Sequence, residues 1–237
     1  MTKICKYTCL LICLSVLSLG LTACRSIYPP VGGQKEIRVV LVGDSTVTDQ
    51  AGWGGALGGI FRKNVKITNF ARGGRSSKSY INEGWLSKAL ATGPDYVIIQ
   101  FGHNDCPGKG PERETDPKTS FQKYIKKYID ETRKIKAKPI LVTPMTRRRY
   151  DEHGKIKSIL TPYAQAVRQI GQEQNVPVID LHSRSIELFE RLGDAKVSKL
   201  QPKGDHTHFN KKGAQVLAKI IAEELSRNGI ELSKYLK

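Results

Sequence analysis

The chain has 237 residues, 39% of them hydrophobic and 7% aromatic, and its 39 Lys and Arg outnumber 22 Asp and Glu for a formal net charge of +17 at pH 7. That length and apolar content exclude a disordered tail and supply the core of one ordinary domain, and there is no internal repeat or low-complexity tract. The basic field favours acidic partners, namely polyanionic polysaccharide, anionic membrane or nucleic acid; the few aromatics and the lack of a nucleic-acid fold signature count against the last of these.

The chain opens with an export pattern. Lys3 and Lys6 precede an apolar run over 10–21, too short for an ordinary spanning helix of about 20 residues. Leu21-Thr22-Ala23-Cys24 then has the form of a bacterial lipoprotein cleavage box. The expectation is a signal peptide over 1–23, acylation of Cys24, a tether over 24–35 and one catalytic domain over 36–237. In the alternative, a plain signal peptide leaves Cys24 incidental. Either way the protein is exported; with Cys24 acylated it is expected on the periplasmic side or the cell surface, with the membrane as a partner through its N-terminal lipid. Extended, the Pro29-Pro30 and Gly32-Gly33 tether reaches at most roughly 40 Å. Losing Lys3 and Lys6 lowers the formal charge from +17 to +15. Cys106 is then the only thiol in the domain, which excludes an internal disulfide.

Beyond the tether, apolar β-branched runs predict strands near 37–43, 65–69, 96–101, 139–143 and 176–181. Helical patterns lie between them. Tyr124, Ile125, Tyr128, Ile129, Thr132 and Ile135 form one stripe of a helix over 118–136, and Thr161-Pro162 starts another. A last helix from about Asn210 buries Val216, Leu217, Ile220, Ile221 and Leu225. Alternating strands and helices imply an α/β three-layer sandwich around a five-stranded parallel sheet with right-handed crossovers. The flavodoxin-like order 2-1-3-4-5 would set the first and third strands side by side, with ligands bound beyond their carboxyl ends.

That edge collects the chemistry-bearing residues. Ser45 follows the first strand in Gly43-Asp44-Ser45-Thr46, where Gly43 is expected to allow a sharp turn. A serine hydroxyl needs a base to take its proton and an acceptor to orient that base. In Asp205-His206-Thr207-His208, in a long loop after the fifth strand, Asp205 and His208 can fill those roles. Gly73-Gly74-Arg75 follows the second strand and Gly102-His103-Asn104-Asp105 the third, so that a glycine N–H and the Asn104 amide could hold an oxyanion. Each segment alone reads as a turn or cap; the four together do not. A metal site at Asp205, His206 and His208 would leave Ser45, Gly74 and Asn104 unexplained, so neither metal nor cofactor is expected. Cys106 has no dedicated base and is read as a bystander.

At these residues the chain resembles the SGNH, or GDSL-like, hydrolases, over roughly 36–230. Within them it is most similar to the rhamnogalacturonan acetylesterases, through Gly43-Asp44-Ser45-Thr46, Gly74-Arg75-Ser76-Ser77, Phe101-Gly102-His103-Asn104-Asp105, Thr143-Pro144 and Asp205-His206-Thr207-His208-Phe209. The resemblance implies a catalytic triad of Ser45, Asp205 and His208. It implies an oxyanion hole from Ser45, Gly74 and Asn104, with Gly74 preferred over Gly73. The implied substrate is an acidic acetylated polysaccharide. Arg75, His103 and the run Arg147, Arg148, Arg149 are candidate substrate contacts, since guanidinium groups hold carboxylates through paired hydrogen bonds. Acetylated xylan, a lysophospholipid or a thioester would suit the same triad, and a carbohydrate-binding lipoprotein without activity is the rival outside catalysis.

Overall fold

In this computed structural model, which describes residues 35–237, five parallel strands form the sheet. They are β1 (Ile37–Gly43), β2 (Val65–Asn69), β3 (Tyr96–Gln100), β4 (Lys138–Val142) and β5 (Val178–Ile179), in the expected order β2-β1-β3-β4-β5. The signal segment, Cys24 and the tether as far as Gln34 lie outside the described residues. The helices are α1 (Gly54–Leu57), α2 (Ser77–Asn82), α3 (Trp85–Leu90), α4 (Ser120–Lys134), α5 (Thr161–Glu173), α6 (Leu181–Leu192), α7 (Asp194–Val197) and α8 (Lys211–Arg227).

Successive strand side chains point to opposite faces, so a run buried throughout must be covered on both. Val39, Leu41, Ile98 and Ile140 pack with Trp53, Leu57, Phe189 and Leu217, which places α1, α6 and α8 on one face. Val40, Val42, Val97 and Ile99 pack with Tyr80, Ile125, Tyr128 and Ile170, so α2, α4 and α5 cover the other. Each such side chain contributes roughly 1.5–3 kcal/mol by leaving water.

Two expectations change. The strand over 176–181 shrinks to Val178–Ile179, because the Asp180 side chain accepts the Ser183 N–H and starts α6. Helices α6 and α7 then occupy much of the expected long loop, leaving the stretch from Gln201 to α8 to carry Asp205 and His208. In α4 the buried stripe is Phe121, Ile125, Tyr128, Ile129 and Thr132. Ile135 instead caps the helix at 41% exposure, as the chain turns away through Lys136 at φ 62°.

The register sets up the site. Gly43 at the end of β1 pairs with Gln100 at the end of β3. The loops that follow them therefore leave side by side, where the strand order reverses.

Candidate active site

The Ser45 loop is fixed from below. A Cβ on Gly43 would stand 2.5 Å from Val47 Cγ2 and 2.7 Å from the Gln100 carbonyl oxygen. Gly43 is absent from the residues with positive φ, so close packing rather than a left-handed turn requires glycine here. Asp44 is fully buried, and its Oδ1 accepts the Thr46 N–H at 2.8 Å and the Thr46 hydroxyl at 2.7 Å. Thr46 Oγ1 in turn accepts from Gln100 Nε2 at 2.7 Å, and Gln100 Oε1 accepts from Trp53 Nε1 at 3.0 Å. These buried bonds tie the loop to β3.

Above this base the half-buried Ser45 faces His208, with Oγ 2.8 Å from Nε2. His208 Nδ1 lies 2.8 Å from Asp205 Oδ2. The other carboxylate oxygen accepts the N–H groups of Thr207 at 2.7 Å and His208 at 3.0 Å. Burial opposes ionisation of Asp205, but those two N–H groups and the imidazole outweigh it and hold the carboxyl at about 2. An ionised Asp205 accepts only, which assigns the His208 proton to Nδ1 and leaves the Nε2 lone pair for the serine hydroxyl.

The oxyanion candidates approach from two sides. Gly73 lies against the serine, since a Cβ on it would stand 3.6 Å from Ser45 Cβ, and Gly74 turns the loop at φ +77°. Asn104 Nδ2 donates one hydrogen to the Arg75 carbonyl at 3.1 Å, which leaves its second for a ligand. Next to it Asp105 is fully buried and accepts from Ser77 Oγ at 2.5 Å, Ser77 N at 3.1 Å and Thr115 Oγ1 at 2.9 Å. Burial outweighs those donors and pushes its carboxyl up to about 7. The Cys106 thiol is buried on the Gly102 carbonyl at 3.2 Å, and burial pushes it up to about 12, too high for a nucleophile.

The candidate substrate contacts divide. Arg75 donates through Nε to Glu83 Oε2 at 2.9 Å and through Nη1 to the Gly73 carbonyl at 3.0 Å, bracing the glycine loop. His103, at 1% exposure, is withdrawn from direct contact and stands 3.6 Å from Asp44 Oδ2. Arg148 is withdrawn as well: it is buried and donates to Gln201 Oε1 at 2.8 Å, Asp194 Oδ1 at 2.7 Å and the Asp205 carbonyl at 3.4 Å. Arg147 donates to Thr207 Oγ1 at 2.5 Å and to the His103 carbonyl at 3.2 Å. Arg149 alone of the three is exposed. His206 Nδ1 lies 3.1 Å from the Arg148 carbonyl oxygen. The Gln100 bridge and the Thr207 contact were missed in the sequence, where only the proximity of Asp44 and Thr46 to Ser45 marked the first.

Residues 41–216 match the model of the GDSL-like lipase/acylhydrolase family. The chain belongs to that family. It is a serine esterase. It is 38% identical over 226 residues to the rhamnogalacturonan acetylesterase RhgT of Bacillus subtilis, covering 86% of this chain and 95% of that protein. The rhamnogalacturonan acetylesterase of Emericella nidulans is 29% identical, over 84% of this chain and 88% of its own. The crystal structure of Bacillus subtilis YxiM superposes on this member of the family with a TM-score of 0.74 at 28% identity, covering 83% of this chain and 58% of that one.

Proposed function

We propose that this esterase removes acetyl groups from pectic rhamnogalacturonan by a Ser-His-Asp acyl-enzyme mechanism. The observation that carries the chemistry is the aligned relay from Ser45 Oγ through His208 to Asp205, with 2.8 Å at each step. The 38% identity to a rhamnogalacturonan acetylesterase over most of both chains supports the substrate.

His208 Nε2 takes the Ser45 proton as Oγ bonds to the acetyl carbonyl carbon, and the carbonyl π pair moves to oxygen. The N–H groups of Ser45 and Gly74 and the free Asn104 hydrogen hold that oxyanion. Collapse breaks the bond to the sugar oxygen, which takes the proton from His208 and leaves. Water then gives a proton to His208 as its oxygen attacks the acetyl-serine, and collapse returns that proton from His208 to the departing Ser45 Oγ and releases acetic acid, which ionises to acetate. Asp205, held ionised at about 2, balances the imidazolium at both steps. We also propose that the protein is exported and anchored through acylated Cys24. Cys24→Ser should then abolish incorporation of a labelled fatty acid and release the protein from membranes.

The deciding assay measures acetate from acetylated rhamnogalacturonan, acetylated xylan and p-nitrophenyl acetate side by side. The first polymer is expected to be turned over fastest. Preference for xylan would move the substrate assignment, and no release from any of them by folded protein would favour a binding role.

A further inference from the structure

We propose that a groove between α1 and α8 is a subsite for the carboxylates of a uronate-bearing glycan, with Lys211, Lys212 and Lys219 as its cationic contacts. The placement of the glycan rests on the acetylesterase reading; the charge of the groove does not.

The groove is a cavity of about 870 Å³. One wall comes from the segment after Ser45, including Asp49, Gln50 and Gly55, and the other from the start of α8, including Asn210 and the three lysines. Its upper end includes Asp49, four residues past Ser45, and Phe209, which follows His208. There the Phe209 N–H donates to the Ala51 carbonyl at 2.9 Å and joins the walls. Gly55, Ala56, Gly59, Ala214 and Ala218 keep the lining low, leaving room for sugar rings beside the backbone.

All three lysines are exposed, and the ion pairs of the described residues leave them out. The one carboxylate in the lining, Asp49, already accepts from Asn69 Nδ2 at 2.7 Å. At a rise of about 1.5 Å per residue the lysines span roughly 12 Å of the α8 axis, long enough to meet successive units of a chain. Positive potential at the α8 N-terminus adds to theirs. Arg147 and Arg148 are committed to internal partners, whereas these lysines and Arg149 are exposed cations that an acidic polymer would meet.

The test compares the wild-type protein with the Lys211→Gln/Lys212→Gln/Lys219→Gln variant. Calorimetric affinity for an unacetylated oligogalacturonide should fall about tenfold, as loss of three exposed charge contacts implies, and triple replacement by Arg should retain it. The ratio of KM for acetylated rhamnogalacturonan to KM for a neutral acetylated xylo-oligosaccharide should rise by a similar factor. Unchanged oligogalacturonide affinity in the folded Gln variant, or an equal rise in KM on both substrates, would overturn the subsite. If wild type binds oligogalacturonide through these lysines yet releases no acetate from the pectic polymer, the function fails and the subsite stands.

Discussion

Arg147 donates through Nη1 to Thr207 Oγ1 at 2.5 Å, and its Nη2 reaches the His103 carbonyl at 3.2 Å. One planar guanidinium thus joins the loop bearing His208 to the loop bearing Asn104. Arg147→Ala should lower kcat by roughly 10-fold to 100-fold on a neutral ester as well as on the pectic polymer, because displacement of about 1 Å between reacting groups carries a penalty of that order. Arg147→Lys should recover only part of it, since an ammonium cannot span both acceptors in one plane. A loss confined to KM for acidic substrate would make Arg147 a substrate contact instead.

Ser45→Ala and His208→Ala should each cost several orders of magnitude in kcat while leaving the melting temperature near that of wild type. The double variant should be little worse than either, because a relay broken once has nothing further to lose. Near-normal turnover by folded Ser45→Ala protein would falsify the proposed nucleophile.

The apolar runs made the sheet legible, because strands buried on both faces read as continuous β-branched segments, and the alternation with helices led to the observed strand order. Ser45, Asp205 and His208 were legible as a group through residue type and position at strand ends. Partners distant in sequence were not. Nothing local distinguishes Arg148, which reaches Asp194 and Gln201, from exposed Arg149. Gly43 was singled out for a reason the fold does not bear out: its constraint is the closeness of Val47 and Gln100. Ile135 fits the helical period but lies one step past the end of α4, and boundaries depend on capping more than on hydrophobic spacing.

Asn104 already gives one amide hydrogen to the Arg75 carbonyl at 3.1 Å, so its substitution removes both the proposed oxyanion donor and a loop contact. Asn104→Ala should lower kcat by about 100-fold to 1000-fold with a smaller change in KM, as expected for a donor whose bond strengthens in the transition state. Asn104→Asp should be no better, because an ionised carboxylate places negative charge where the oxyanion forms. Retained kcat with a raised KM would reassign Asn104 to substrate positioning.

Asp105 gives a pH dependence that separates folding from chemistry. Burial raises its carboxyl from an ordinary value of 3.8 to about 7, against the opposing pull of the Ser77 and Thr115 donors. Between those values the folded state holds a proton that the unfolded chain has lost, so its contribution to stability is full below about pH 4 and fades as pH rises through about 7. Three units correspond to roughly 4 kcal/mol at most. Asp105→Asn has no such titration. Chemical denaturation of both proteins from pH 4 to pH 8 should therefore show the stability advantage of wild type over Asp105→Asn shrinking as pH rises, whatever the other carboxylates do to each curve. A difference that stays constant, or grows with pH, would mean that Asp105 is ionised throughout and that the bonds from Ser77 and Thr115 dominate its burial.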